Sequence, residues 1–351
     1  MGATTARLTI DLGALAANYT ALAQAARPGT CGAVVKADAY GLGVGPVVQR
    51  LRAAGCRSLF VATAGEAVLL RALDSDSAIY VFAGADAHDA EELAARAITP
   101  VINHRGQLEH WYPHRDRPIA LHVDTGMRRL GFEPHALAAL DLSGFRPALL
   151  LTHLACADEP DHPQNARQRA LFREVAAKFP GVATSVCNSA ALLSHGGESG
   201  EICRPGIALY GGNPFAVPGR ELGVVATLEA DVLQLQQALP GEPVGYGATW
   251  TPSRPSLVAT VGAGYGDGIP RKLSNRGEVS YGRWRLPIVG RVSMDLTAVD
   301  ASAAADVIRV GDRVSFFGGG VALEEVAAWA ETISYEVLTG LAHRLERRFV
   351  G

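Results

Sequence analysis

The sequence predicts an α/β protein with a (β/α)8 barrel of the TIM type, followed by a mostly antiparallel β domain. Eight short apolar runs recur between residue 31 and about residue 210, and such runs are typical of strands buried on both faces of a parallel sheet. Stretches rich in Ala, Leu and Arg with helical spacing separate them, as in a barrel. After about Leu222, short runs rich in Val, Thr and Tyr replace the helical stretches and indicate antiparallel strands.

The eight predicted barrel strands are mostly β-branched or rich in Leu. In chain order they are GAVVKA (32–37), SLFVA (58–62), AIYVF (78–82), ITPVI (98–102), IALHV (119–123), ALLLTHL (148–154), VATSVC (182–187) and EICRPGIALY (201–210). The segments between them predict helices in VGPVVQRLRAAG (44–55), GEAVLLRALD (65–74) and NARQRALFREVAAKF (165–179). An open, doubly wound sheet is the alternative that the same alternation allows.

We expect the barrel to occupy residues 10–222 and the β domain to occupy residues 223–351. Runs such as PVGYGATW, SLVATVGAGYG and LPIVGRVSMDLTAV predict the strands of the second domain, and LEEVAAWAETI (323–333) predicts a helix. The segment RLTIDL (7–12) predicts a strand that precedes the barrel repeats. We expect the N-terminal strand, residues 1–9, to pack on the β domain.

Composition excludes several classes of protein. Of 351 residues, 48% are hydrophobic and 19% are charged, which fits a globular chain rather than a disordered one. A net charge of −3 without a basic run argues against a nucleic-acid binder. No apolar stretch reaches the ~20 residues of a membrane span, and Arg7 and Asp11 interrupt the N-terminal apolar segment, unlike in a signal peptide. We therefore expect a soluble, cytoplasmic protein.

The five Cys residues predict neither a disulfide framework nor a metal site. Their number is odd and no CxxC pair occurs, so we expect reduced thiols in the cytosol. His153 and Cys156 have a spacing that a metal site could use, but no second pair accompanies them. No metal is expected.

Polar residues follow five of the predicted barrel strands. In this fold the active site lies at the carboxyl ends of the strands. The residues at these ends are Lys36, Asp38, Tyr40, Asp124, Thr125, Arg129, His153, Asp158, Asn188, Ser189, Arg204 and Gly206. One such residue is commonly a polar group at a strand end whose hydrogen bonds are satisfied, but polar residues at five strand ends together predict a functional site.

Lys36 is the most informative of these residues. Only three of the 32 basic residues are Lys, namely Lys36, Lys178 and Lys272, and a general preference for Arg explains the scarcity. Beside Val34 and Val35 a lysine would lose hydration, which lowers its pKa and yields a nucleophilic amine. Arg cannot replace it because the guanidinium stays protonated, so the sequence favours a Schiff-base lysine. A lysine that extends its ammonium into solvent is the alternative.

Glycine-rich segments point to one phosphate site. No GxxxxGK[ST] motif occurs, so YGLGVG (40–45) is not a nucleotide P-loop, and GAGYGDG (262–268) precedes no clear helix. CRPGIALYG (203–211) places backbone N–H groups near the last barrel strand, where this fold usually binds phosphate.

Taken together, these motifs resemble those of the alanine racemase family. AVVKADAYGLG (33–43) is similar to the cofactor-lysine signature of these pyridoxal-phosphate enzymes, which have a barrel and a β domain. The resemblance continues through VDTGMRRLGF (123–132), THLACADE (152–159), CNSAA (187–191), RPGIALYG (204–211), VGYGATW (244–250), GYGDG (264–268), VGRVSMD (289–295) and SYEVL (334–338). It covers nearly the whole chain, and the first motif and YGATW are the most specific.

The resemblance implies a pyridoxal 5'-phosphate site in the barrel. Lys36 would form an aldimine with the cofactor, and Arg204 would face its pyridine nitrogen. Arg129 would contact the phenolic oxygen of the cofactor and the substrate. The phosphate would be held by Tyr40, Ser189, Tyr335 and the backbone of Gly206 and Ile207, and the cofactor-binding set also includes His153 and Asn188.

The β-domain motifs imply the rest of the site. Tyr246 would be the second catalytic base, oriented by His153, although residue chemistry alone would make it a buried tyrosine at a strand end. Met294 and Asp295 would lie at the substrate carboxylate. The path into the site would be lined by Tyr265, Arg271 and Arg291. In this family the partner subunit supplies the residues at positions 246, 265, 294 and 295, so the resemblance implies a homodimer with a shared active site.

One position departs from the family pattern. Many members carry a lysine two positions before the Asp of VDTGM, where it becomes carbamylated and braces the arginine that corresponds to Arg129. This sequence has His122 there. A carbamate cannot form on it, so another contact must hold Arg129.

The implied activity is alanine racemase, which interconverts L-alanine and D-alanine and would supply D-alanine for peptidoglycan. Lys36 and Tyr246 would act as bases on opposite faces of the aldimine, while the cofactor accepts electron density. Arg204 cannot readily protonate the pyridine nitrogen, so we expect it to limit transamination and decarboxylation. The alternatives are a racemase for serine or another amino acid, a basic amino-acid decarboxylase, and a non-catalytic pyridoxal-phosphate carrier.

Overall fold

The structure is a computed structural model that describes residues 5–215 and 222–351. The chain divides into two compact units. The barrel unit comprises Leu15–Leu209 and Asn213–Leu222, and the β unit comprises Met1–Ala14, Tyr210–Gly212 and Gly223–Gly351. The first strand, β1 (Ala6–Asp11), therefore belongs to the β unit.

The barrel unit is built on short parallel strands. They are β2 (Thr30–Cys31), β3 (Ala33–Val34), β4 (Ser58–Val61), β5 (Ala78–Val81), β6 (Thr99–Ile102), β7 (Pro118–His122), β8 (Arg146–Leu151), β9 (Ala183–Ser185) and β10 (Ile202–Cys203). Strands β3 to β9 form one sheet in sequence order, while β2 and β10 pair with each other.

Backbone hydrogen bonds join the segment around β10 to both edges of the seven-stranded sheet. The amide of Val34 donates to the carbonyl of Pro205 at 2.9 Å, and the amide of Thr184 donates to the carbonyl of Gly200 at 3.0 Å. The predicted barrel is therefore confirmed, with a short eighth strand. The continuous apolar runs have a simple cause, since all four residues of β6 are buried.

Helices connect the strands of the barrel unit. They are α1 (Leu12–Ala25), α2 (Val44–Ala53), α3 (Ala64–Leu73), α4 (Ala90–Ala95), α5 (Arg105–Trp111), α6 (Pro134–Ala138), α7 (Pro163–Ala176) and α8 (Ser189–His195). The three helices predicted from the sequence are α2, α3 and α7. Pro163 begins α7, a position that proline favours because its missing N–H has no helical partner there.

The β unit is a mostly antiparallel sheet, as predicted. Its further strands are β11 (Ala226–Ala238), β12 (Ser256–Val261), β13 (Glu278–Tyr281), β14 (Trp284–Pro287), β15 (Thr297–Asp300), β16 (Arg313–Phe317) and β17 (Glu346–Val350), and its helices are α9 (Leu323–Trp329) and α10 (Ser334–Thr339). Strand β1 pairs antiparallel with β11 and parallel with β17. No helix in the described part of the chain has the length and apolar character needed to cross a membrane.

Candidate active site

Polar side chains collect at the carboxyl ends of the barrel strands. Lys36 lies two residues beyond β3, His122 ends β7, and His153 lies two residues beyond β8. Parallel strands bring these ends to the same side of the barrel. The Arg129 guanidinium contributes to lowering the pKa of all three side chains, so the four groups lie within electrostatic range of one another.

Lys36 occupies a setting that favours its neutral amine. Its side chain is half-buried. Burial lowers the pKa of the amine, the Arg129 cation lowers it further, and the Glu66 carboxylate acts in the opposite direction. A lowered pKa increases the fraction of amine that can act as a nucleophile or base.

A left-handed turn follows Lys36. The φ angles from Ala37 to Tyr40 lie between 51° and 58°. Each residue with a Cβ costs roughly 1–2 kcal/mol in this conformation, so neighbouring groups must hold the turn. One such contact starts from the turn itself, because the Asp38 Oδ1 atom accepts a hydrogen bond from the amide of Val44, at the start of α2, at 2.7 Å.

Four of the five residues proposed for the phosphate lie together in the barrel unit, namely Tyr40, Ser189, Gly206 and Ile207. The Ser189 hydroxyl accepts hydrogen bonds from the amides of Gly206 at 2.9 Å and Ala208 at 3.3 Å. A Cβ on residue 206 would collide with the hydroxyl of Tyr40, so only glycine leaves room there. Ile207 is fully buried and begins a short 3-10 turn, Ile207–Tyr210. Two hydroxyls beside backbone N–H groups form a donor set that fits a phosphate.

Asn188 has a structural contact of its own. Its side chain accepts a hydrogen bond from the amide of Ala191 at 2.9 Å and thereby caps the start of α8. This contact fixes the position of Ser189, the first residue of the helix.

Arg204 is a buried cation that is held by neutral acceptors. Its side chain donates to the Ser185 hydroxyl and, at 2.8 Å, to the carbonyl of Thr152. Burial lowers the pKa of Arg204 to about 10, so the guanidinium is still protonated at neutral pH. The site thus presents a fixed positive charge that cannot readily donate its proton.

The two histidines of the site are neutral at pH 7. Burial, followed by the Arg204 cation, lowers the pKa of His122 to about 4 and that of His153 to about 3. The Nδ1 atom of His122 faces Asn103.

Tyr246 lies on the surface of the β unit. It begins the 3-10 turn Tyr246–Ala248, and 71% of its surface is exposed. The alternative of a buried tyrosine at a strand end is therefore wrong. The Arg291 guanidinium lies so close to Gly247 that a Cβ at that position would be 3.1 Å from it.

The other predicted substrate residues of the β unit are organised around Asp267 and Arg344. Tyr265 donates its amide to the carbonyl of Ser293 at 2.9 Å, and the amide of Gly266 donates to the carbonyl of Met294 at 2.7 Å. These bonds join the turn that carries Tyr265 to the segment that carries Met294. Both residues are exposed, by 43% and 55% respectively.

Arg344 forms ion pairs with the two carboxylates near Tyr265 and Met294, those of Asp267 and Asp295. Its side chain donates to both carboxylate oxygens of Asp267, at 2.7 and 3.0 Å, and to Asp295 at 2.7 Å. Asp267 in turn accepts from the amide of Gly264 at 3.0 Å. One guanidinium thus links the two segments that carry Tyr265 and Asp295.

Three predicted residues occupy the remaining parts of the β unit. Arg271 and Arg291 line a basic cavity of about 280 Å³ with Lys272, Ser274 and Arg276. Tyr335 lies in α10 and is half-buried.

Among the described residues, one buried group has the composition of a metal site. The ligand atoms of Cys187, Glu201 and Cys203 lie within 4.8 Å of one another. Glu201 is already committed, since its carboxylate accepts from the amides of Val186, Cys187 and Glu198 at 2.7 to 3.0 Å. The cluster therefore has a structural explanation in the backbone that it supports.

Sequence reasoning missed Glu66, Asn103 and Arg344. Asn103 follows the apolar run ITPVI, so the strand-end pattern that singled out other residues could have found it. Glu66 bonds the amide of Ala37, 29 positions away, and Arg344 bonds Asp267, 77 positions away. No local pattern signals such contacts.

Comparisons with known proteins agree with this geometry. Residues 10–214 match the model of the alanine racemase N-terminal domain, and residues 225–349 match that of the C-terminal domain. The chain is 43% identical to alanine racemase from Rhodospirillum rubrum, over 99% of this chain and 96% of that protein. It is also 43% identical to a catabolic alanine racemase from Agrobacterium fabrum, over 99% and 93% of the two chains.

A solved structure is similar over the whole length. The crystal structure of alanine racemase from Bartonella henselae, with covalently bound pyridoxal phosphate, has a TM-score of 0.92 and 38% identity, and the match covers 99% of this chain and 100% of that one.

Proposed function

The chain belongs to the alanine racemase family, and we propose that Lys36 and Tyr246 are the two bases with which it interconverts L-alanine and D-alanine. One observation carries the assignment of Lys36. Its amine is half-buried beyond the end of β3, where burial and Arg129 lower its pKa. A lowered pKa makes the amine easier to deprotonate, so that it can both take and return a proton.

Pyridoxal 5'-phosphate is the proposed cofactor, and the barrel residues fit it. When bound, it supplies an aldehyde that condenses with amines and a ring that withdraws electrons from the α-carbon of the substrate. Ser189, Tyr40 and the backbone at Gly206 would hold the phosphate. Arg204 would place a fixed cation at the pyridine nitrogen, and Arg129 would bind near the phenolic oxygen and the substrate.

The proton would be moved by one residue from each unit. The Lys36 Nζ atom would take or return the α-proton on one face of the substrate, and the Tyr246 hydroxyl would do so on the other. An ordinary tyrosine has a pKa near ~10 and is a weak base at neutral pH. The Arg291 guanidinium packs beside Gly247, the residue after Tyr246, so a cation lies next to the turn that carries this hydroxyl.

A homodimer with a shared active site is the proposed assembly. Tyr246, Tyr265 and Met294 expose 71%, 43% and 55% of their surface in the single chain. These large exposed side chains have proposed catalytic and substrate-binding roles. They could fulfil those roles by completing the active site of a partner chain.

We place the enzyme in the cytoplasm, where it would supply D-alanine for peptidoglycan. The Agrobacterium fabrum relative is named as a catabolic enzyme, so D-alanine breakdown is the second candidate role. Growth of a deletion strain distinguishes the two. A requirement for D-alanine supports supply, and loss of growth on alanine alone supports breakdown.

The proposed reaction is tested with the purified protein and L-alanine in deuterated water. We expect D-alanine and α-deuterium to appear, and a lower rate with L-serine and L-lysine. Lys36→Ala should abolish both products and the visible absorbance of the bound cofactor. Absence of D-alanine and α-deuterium with the wild type would refute racemisation, and an active Lys36→Ala enzyme would refute the assignment of the base.

A further inference from the structure

Glu66 joins the segment after β4 to the turn that follows Lys36. One carboxylate oxygen accepts a hydrogen bond from the amide of Ala37 at 2.6 Å. The other oxygen accepts from the amides of Ala62 at 2.7 Å and Thr63 at 3.1 Å. Three backbone donors from two separate segments thus meet on one side chain, and one of them belongs to the residue directly after the proposed catalytic lysine.

The helix-capping role of Glu66 does not explain all of these contacts. Thr63 is the N-cap of α3, and its hydroxyl accepts from the amide of Glu66 at 3.3 Å, which completes a capping box. A capping box requires the bond from Glu66 to the amide of Thr63. It does not require the shorter bond to Ala37, which lies outside the helix.

The hydrogen bond from Ala37 to Glu66 is made by the first residue of the left-handed turn. Four consecutive residues from Ala37 to Tyr40 have positive φ angles, a backbone conformation that is unfavourable for every residue with a Cβ. The other backbone bonds of the turn are local: the amide of Ala39 donates to Val35, and the carbonyls of the turn accept from the amides of residues 41–43. Glu66 ties the first amide of the turn to the start of α3 instead.

We propose that Glu66 is a positioning residue for Lys36. It fastens the left-handed turn at Ala37 and places a negative charge near the Lys36 amine, so that one carboxylate sets both the direction and the proton affinity of that amine. This inference rests on the proposed role of Lys36. It assigns to Glu66 no contact with substrate or cofactor.

The charges around Lys36 make the electrostatic part testable. Arg129 is the principal cation that faces the amine, and His153 is neutral near pH 7 because burial, Arg204 and Arg129 lower its pKa to about 3. Glu66 is the carboxylate that opposes Arg129 at Lys36. Removal of its charge should therefore make the amine easier to deprotonate.

The test compares Glu66→Gln with Thr63→Ala in the full-length protein freed of cofactor. The second variant is the matched control, because it removes the hydroxyl of the same capping box and leaves the bond from Ala37 in place. Two quantities are measured. They are the affinity for pyridoxal phosphate and the pH midpoint at which the Lys36 amine becomes reactive toward it.

We expect Glu66→Gln to bind the cofactor about tenfold more weakly, as for loss of one hydrogen bond to a charged group, and to shift the pH midpoint downward. Thr63→Ala should change neither quantity. If Glu66→Gln keeps the wild-type affinity and midpoint, Glu66 is only a helix cap and the inference is wrong.

Glu66→Asp supplies a second test that does not depend on the folding of the first variant. The shorter side chain keeps the charge but cannot span Ala37 and Thr63 together, so affinity should fall while the midpoint stays close to that of the wild type. Unchanged affinity would contradict the proposal. Lys36→Ala separates this result from the proposed function, since retention of covalently reducible cofactor by that variant would refute the lysine assignment whatever Glu66 does.

Discussion

The Nδ1 atom of His122 lies 2.8 Å from the Oδ1 atom of Asn103, and both residues are buried. The amide nitrogen of Asn103 donates to the carbonyls of Phe82 and Val101, each at 2.9 Å. Its oxygen must therefore face the imidazole, and an amide oxygen can only accept. His122 accordingly carries its proton on Nδ1, which leaves Nε2 as an acceptor.

The low pKa of His122 predicts a specific loss of stability in acid. The folded chain binds the proton only near pH 4, whereas the unfolded chain binds it near pH ~6.5. The contribution of His122 is therefore complete above pH ~6.5 and is lost as the pH falls toward 4. Between pH 7 and pH 5 the wild type should lose about 2 kcal/mol more than His122→Gln, measured as the free energy of unfolding in urea at constant protein concentration.

His135 provides the control for this measurement. Its side chain is 81% exposed, and its Nε2 atom lies 3.3 Å from the Glu133 carboxylate, so His135→Gln should follow the wild type. Equal acid losses in the wild type and His122→Gln would show that His122 is not held neutral.

Arg204→Glu should change the products that the enzyme forms from L-alanine. A carboxyl group could protonate the pyridine nitrogen and stabilise negative charge for longer, which favours transamination. Pyruvate formed from L-alanine should increase relative to D-alanine. Arg204→Lys keeps a cation and should show a smaller change. An unaltered ratio of pyruvate to D-alanine in Arg204→Glu would disprove the link between this charge and reaction fidelity.

Arg344→Met should weaken substrate binding without removing a catalytic group. The variant frees Asp295 and Asp267, which Arg344 holds together, and leaves uncompensated negative charge near the proposed site of the substrate carboxylate. We expect KM for alanine to rise about fivefold with a smaller change in kcat, since the ion pairs are partly exposed. Steady-state kinetics in both directions measure the two constants.

The control for Arg344 is Arg7→Met, which removes an exposed ion pair with Glu346 in the same unit. That variant should leave KM unchanged. If Arg344→Met lowers kcat and leaves KM unaltered, the residue does not position the substrate end of the site.

Gly206→Ala should weaken cofactor binding through a steric conflict. The new Cβ would overlap the Tyr40 hydroxyl, and either Tyr40 or the backbone that donates to Ser189 must shift. We expect at least about a tenfold loss of affinity for pyridoxal phosphate, or ~1.4 kcal/mol. Gly65→Ala is the control, because a Cβ meets nothing within 4 Å there. Equal affinities in the two variants would exclude the proposed phosphate cradle.

Much of the fold was predictable because it depends on local patterns. Strand β6 is buried along its whole length and reads as the apolar run ITPVI, and α2 shows the spacing of a helix that buries one face. Local sequence also identified Lys36, because it lies at the end of a predicted strand and within the motif AVVKADAYGLG. Short strands such as β10 were predicted too long, since the apolar run continues into the 3-10 turn Ile207–Tyr210.

The sequence by itself determined the barrel, the β domain, the family and the choice of lysine over arginine at position 36, because periodicity, composition and side-chain chemistry are properties of neighbouring residues. Only the tertiary structure decided which groups act on those residues. Three contacts join distant segments of the chain. Ala37 donates to Glu66, the Nδ1 atom of the neutral His122 donates to Asn103, and Arg344 bridges Asp267 and Asp295. Such contacts depend on how helices and strands pack in space, and that packing produces no periodic pattern in the sequence.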